Sequence, residues 1–152
     1  MVAQTHDCIE KEIFLRAPRS RVWRALTQAQ EFGSWFGVQL EGPFAPQTRV
    51  TGRITSKGYE HVTFELQVQQ MEPESYFSYR WHPYAIDPKV DYSKEPTTLV
   101  EFRLEEAAGG TRLLLRESGF EHIPLARRAE AFRMNDGGWS QQVQNIERYV
   151  TA

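Results

Sequence analysis

Disulfides are excluded at the outset, because the 152-residue chain carries one cysteine, Cys8. A lone thiol fits a reducing compartment, and the expected location is the cytoplasm. No apolar run approaches the ~18 residues of a membrane span. The start, MVAQTHDCIEKE, has neither the basic nor the apolar part of a signal peptide. Charge of one sign is lacking too. Eighteen basic residues face 20 acidic ones, for a net charge of −2, which argues against nucleic acid or an anionic membrane as partner. Histidine is sparse: His6, His61, His82 and His122 form no local ligand motif, so no metal and no cofactor are expected. Gly33-Ser34-Trp35-Phe36-Gly37 places its serine second rather than third, so it is no nucleophile elbow. There is no phosphate-cradling loop, no dinucleotide-binding glycine pattern and no internal repeat.

What is present is a globular composition, 40% apolar and 25% charged. A chain of this size buries roughly 70% of its unfolded surface, so residues 1–152 are read as a single domain. Ile9, Lys11, Ile13 and Leu15 share one face of a first strand by period two. Ala17-Pro18 stops it. A helix over Pro18–Thr27 follows, with Val22, Trp23 and Leu26 inward and Arg19, Arg21 and Arg24 toward water. A second short helix carries Phe32, Trp35 and Phe36, despite Gly33.

From Gly37 to Phe120 the texture is that of strands. Val38–Leu40 and Arg49–Ser56 are short. Val62, Phe64, Leu66 and Val68 alternate with polar residues, then Phe77, Tyr79 and Trp81, then Val100, Phe102 and Leu104. Gly109-Gly110 predicts a hairpin with a slightly long loop into Thr111–Ser118, where Leu113, Leu115 and Glu117 share a face. Pro83–Pro96 is a 14-residue loop without periodicity, expected to be a mobile lid. At the C-terminus a short amphipathic piece (Leu125, Ala129, Phe132) is interrupted at Asn135-Asp136-Gly137-Gly138, which offers an N-cap. A final helix from Gly138 to Thr151 then aligns Trp139, Val143, Ile146 and Val150. This order is α+β, with helices segregated from one antiparallel sheet.

Ala17-Pro18 with Val22-Trp23-Arg24-Ala25-Leu26-Thr27, and then Phe32-Gly33-Ser34-Trp35-Phe36, resembles the opening segment of START-like (SRPBCC, Bet v 1-like) domains. More narrowly it is similar to the family named after the ATPase activator of the 90-kDa heat-shock chaperone (AHSA-type). Gly109–Leu113 with Glu117-Ser118-Gly119-Phe120 resembles that family's last hairpin, and Gly138-Trp139 resembles the start of its terminal helix. The resemblance runs from about Ile9 to Val150. It implies a helix-grip fold: a curved seven-stranded antiparallel sheet wrapped around a long C-terminal helix, with two short helices after the first strand. It implies a cavity but supplies no catalytic motif. Function must therefore come from the site.

Nine Phe, six Tyr and four Trp are the richest signal. Inward aromatics with a few polar groups make either small-molecule pockets or ordinary core. A cavity reading would be lined by Trp35, Phe64, Phe77, Tyr79, Trp81, Phe102, Leu115, Glu117, Trp139 and Val143. Glu117 is the polar candidate, as cavity acid or ligand anchor, or else a strand-end residue paired with an arginine. His82 is a candidate for the cavity mouth. The leading expectation is non-catalytic binding of a small apolar or amphipathic molecule. The alternatives are an aromatic cyclase or dehydratase using Glu117, Tyr79 or His82, and a chaperone-interacting surface. The expected state is a monomer or weak dimer.

Overall fold

A computed structural model describes residues 8–152. His6 lies outside them. The elements in chain order are β1 (Cys8–Leu15), α1 (Arg19–Thr27), α2 (Ala29–Phe36), β2 (Val38–Glu41), β3 (Arg49–Ile54), β4 (Thr63–Glu72), β5 (Tyr76–Trp81), β6 (Thr98–Ala107), β7 (Gly110–Ser118) and α3 (Leu125–Thr151). All seven strands form one antiparallel sheet in the order β1-β7-β6-β5-β4-β3-β2. The sheet is therefore a meander whose first strand closes back onto its last.

Period-two alternation puts Phe64, Leu66 and Val68 of β4, Phe77 and Tyr79 of β5, Val100 and Phe102 of β6, and Leu113 and Leu115 of β7 on the buried face. Helix α3 covers that face with Ala131, Trp139, Val143, Ile146 and Val150. Helices α1 and α2 plug the remaining gap: Trp35 of α2 donates its indole N–H to the Ala25 carbonyl at 2.7 Å. Gly33 lets α2 meet β2, because a Cβ there would sit 2.2 Å from the Val38 carbonyl oxygen.

Five sequence expectations are corrected. Helix α3 is continuous over 27 residues, about 40 Å at 1.5 Å per residue. The expected break at Gly137-Gly138 is absent: both glycines lie on the exposed side, and the helix is carried through by the flanking Asn135, bonded to Glu117, and Trp139, packed in the core. Asn135 caps nothing; its side chain turns inward. Leu125, expected inward, is 78% exposed. The β6–β7 loop is short, since Ala107 pairs with Gly110. Finally, Arg21 does not simply face water: it bonds Glu31 at 2.7 Å and the Tyr149 carbonyl at 3.3 Å, with its guanidinium over the Tyr149 ring.

Candidate functional site

Glu117 sits at the centre of the grip. Its position on β7 follows from alternation with Leu113 and Leu115, and its side chain is fully buried. Oε2 accepts from Trp81 Nε1 at 2.8 Å and from Thr98 Oγ1 at 2.6 Å. Oε1 accepts from Trp139 Nε1 at 2.8 Å, and Asn135 Nδ2 reaches both oxygens at 3.0 and 3.2 Å. Indole nitrogens can only donate, so this shell is matched to a carboxylate. Burial raises the Glu117 pKa above the ordinary carboxylate range, and the donors from Thr98, Trp81, Trp139 and Asn135 pull the other way. The group thus joins β5, β6, β7 and α3 through one buried charge. Tyr79, also fully buried, has a hydroxyl without a partner among the described residues. Burial first, then the Glu117 charge, push its phenol well above the ordinary tyrosine range.

Trp81 forms the boundary between this core and solvent. Its other side belongs to a cleft of about 260 Å³ at the rim of the grip. Phe36, Ile54, Val62, Phe64, Trp81 and Ile86 supply the apolar lining. Polar atoms come from Ser56, Tyr59, His82, Tyr84 and Gln142. His82 Nε2 lies 3.0 Å from the Glu95 carbonyl oxygen. A larger, shallower groove of about 890 Å³ runs along α2 and the β2 edge, lined mainly by small and polar residues.

The loop between β5 and β6 walls the cleft and is pinned by one residue of α3. Arg127 donates to Glu95 Oε1 from Nε at 2.9 Å and Nη2 at 2.7 Å, and to the Pro83 carbonyl from Nη1 at 2.8 Å. Its guanidinium also lies 4.7 Å from the Tyr92 ring centroid. Tyr84 holds a left-handed backbone at φ 51°, an uncommon state that its surroundings must impose. Arg127 is the fastener of this loop.

Of the ten residues expected to line a cavity, Phe64 and Trp81 line the cleft. Phe77, Tyr79, Phe102 and Leu115 are packed in the core, where Phe77 and Phe102 stack at 6.0 Å. Trp139 meets Trp81 ring to ring at 5.8 Å, and Val143 is buried one turn further along α3. Trp35 ties α1 to α2, and Glu117 lies behind Trp81. Sequence reasoning did not pick out Phe36, Thr98 or Asn135. Thr98 shares the inward face of Val100 and Phe102, and Asn135 precedes Trp139 by four residues, so both signals were present. Among the described residues no group of three or more His, Cys, Asp or Glu side chains is placed to hold a metal. No helix among them is long and apolar enough to cross a membrane.

A curled antiparallel sheet holding a long terminal helix, with a rim cleft at one end, defines a START-like helix-grip domain. The chain belongs to the family described as Activator of Hsp90 ATPase homolog 1-like protein, which it matches over residues 16–151. No curated protein matches its sequence. Among solved structures it is similar to protein MLL2253 from Mesorhizobium loti, with 24% identity, TM-score 0.74, and coverage of 95% of this chain and 96% of that one. It is also similar to DynU16 of the dynemicin biosynthetic locus (23%, TM-score 0.72), covering 96% of this chain and 48% of the other. The Aha1 dimer from Colwellia psychrerythraea shares the fold at 15% identity and TM-score 0.72, with 99% and 97% of the two chains covered.

Proposed function

We propose that residues 1–152 form one binding domain that holds a small hydrophobic or amphipathic molecule in the rim cleft without transforming it. The observation that carries this reading is the cleft itself: an apolar floor of Phe36, Phe64 and Trp81 with a few polar groups around it. At about 260 Å³ it lies just under the ~300 Å³ at which drug-sized pockets begin, so the ligand, or the part gripped, is compact. A neighbour from a biosynthetic locus agrees with a small-molecule ligand without identifying one.

Catalysis by Glu117, Tyr79 or His82 has less support. Only His82 lines the cleft. Glu117 is sealed behind Trp81 with both oxygens taken up by donors. A chaperone-facing surface rests on the family description and on Leu125, which stands 78% exposed at the start of α3. A cytoplasmic location and a monomer or weak dimer belong to the same proposal.

Titration with the neutral dye N-phenylnaphthylamine tests it. Native protein should bind saturably at one site and quench tryptophan emission. Val62→Trp, which fills the cleft, should abolish binding with the thermal transition intact. Undiminished binding by that variant would place the ligand elsewhere.

A further inference from the structure

Resting on the binding reading above, the cleft's floor and the charge behind it specify the ligand's chemistry. Phe36, Phe64 and Trp81 meet pairwise edge to face, at 5.3, 5.7 and 5.9 Å between centroids. Tyr59 and Tyr84 join them in the lining, and no lysine or arginine does. Behind the floor, Trp81 gives its indole N–H to the Glu117 carboxylate. No basic side chain figures among that carboxylate's partners. A carboxylate accepting from an indole N–H polarises the ring and enriches its face in electrons. In a low-dielectric interior, the field of that charge also reaches the cleft little screened.

Two cations near the cleft are offset by acidic neighbours. Arg127 is bonded to Glu95 at 2.7 Å. Arg133 acts on the Tyr84 hydroxyl, but Glu130 acts on it with the opposite sign. Glu65, which also borders the cleft, is joined to Arg49 at 2.9 Å.

These observations select among ligands. An anionic head group would meet the Glu117 field and find no lysine or arginine in the lining. A primary ammonium seated on the floor of Phe36, Phe64 and Trp81 would give up water there without acceptors on those rings for its N–H groups. A neutral hydrocarbon gains only buried area. A methylated ammonium gains the same area, has no N–H to satisfy, and is attracted by the ring faces. We propose that the cleft takes the quaternary ammonium head group of a small amphipathic molecule, with Trp81 as the main contact and Glu117 as the charge behind it.

Choline and dimethylbutanol, its neutral carbon isostere, make the test, followed by tryptophan emission and by the indole N–H resonances. Choline should bind at least tenfold more tightly, equivalent to about 1.4 kcal/mol. Glu117→Gln should bring that ratio close to one. Because a glutamine amide would turn N–H groups toward donors, Trp81→Phe carries the same test in a fold that keeps its carboxylate. There the ratio should fall several-fold, with the alcohol's affinity held within threefold. Equal affinities in native protein overturn the cation inference and leave the binding reading standing. Binding of neither, with N-phenylnaphthylamine still bound, does the same. Loss of all three ligands overturns both.

Discussion

Replacing Glu117 by Leu removes the acceptor shared by Trp81, Thr98, Asn135 and Trp139. Thr98 and Trp139 are buried and cannot turn to solvent. Each stranded donor costs about 1–3 kcal/mol. The Trp81 N–H points into the same sealed interior, whereas Asn135 is partly buried, so water replaces its lost acceptor at little cost. Against this, the carboxylate's own burial penalty, visible in its raised pKa, is relieved. The net loss should be about 3 kcal/mol, near the lower end for breaking a buried charged network, out of a total of about 5–15. Urea unfolding followed by tryptophan emission reads it directly. A second substitution makes the reasoning specific. In native protein Thr98→Val removes a hydrogen bond to a charge and should cost about 1.5–3 kcal/mol. In the Glu117→Leu background the same change removes an orphaned hydroxyl, so its effect should vanish or reverse. An equal cost of Thr98→Val in both backgrounds would refute the shared-acceptor account.

The same carboxylate sets a pH dependence. Its pKa is raised on folding, so the folded chain binds more protons across the window above the ordinary carboxylate range. Stability from this group therefore rises as pH falls through that window. The margin of native protein over Glu117→Leu should widen when urea titrations are repeated from neutral toward acid pH; a narrowing margin would have the wrong sign. Gly33→Ala should destabilise by about 1–3 kcal/mol, although helix propensity alone predicts a gain of about 1, because the new methyl would strike the Val38 carbonyl. A higher melting temperature would show that β2 yields. Arg127→Ala should raise hydrogen exchange across residues 83–96 while leaving β5 and β6 unchanged. If exchange there is already fast in native protein, the loop is not fastened as described.

Legibility in the sequence followed how local the cause was. Strand faces depend on period two, so Phe64, Phe77, Phe102 and Leu115 were readable as inward, and the meander order came from consecutive short strands joined by turns. The inward aim of Glu117 came from the same alternation. Its donors did not, because Trp81, Thr98, Trp139 and Asn135 converge only once β5, β6, β7 and α3 are in register. The run Asn135–Gly138 misled for a related reason. Local chemistry there favours a cap, but the bonds from Asn135 to Glu117 and the packing of Trp139 carry the helix through. Inward aromatics did not reveal whether they enclosed space or met one another. Trp81 and Trp139 meet, and the open volume lies beyond Trp81, beside Phe36.

Among the described residues the sheet is open, and this leaves β1 and β2 as strands with one unpaired side each. Unpaired backbone is a template on which another copy can continue the ladder. The two margins are guarded in different ways. β2 is four residues long and runs into Gly42-Pro43, too short and too abruptly ended to seed an extension. β1 is twice that length but carries Glu10, Lys11 and Glu12 in succession. Lys11 points under the sheet toward α3, where it meets Asp136 at 2.8 Å. A strand stacking on that margin would have to accommodate alternating charges and an inward-turned ammonium. Fibril growth is thereby discouraged at both ends of the meander, by brevity at one and by charge at the other.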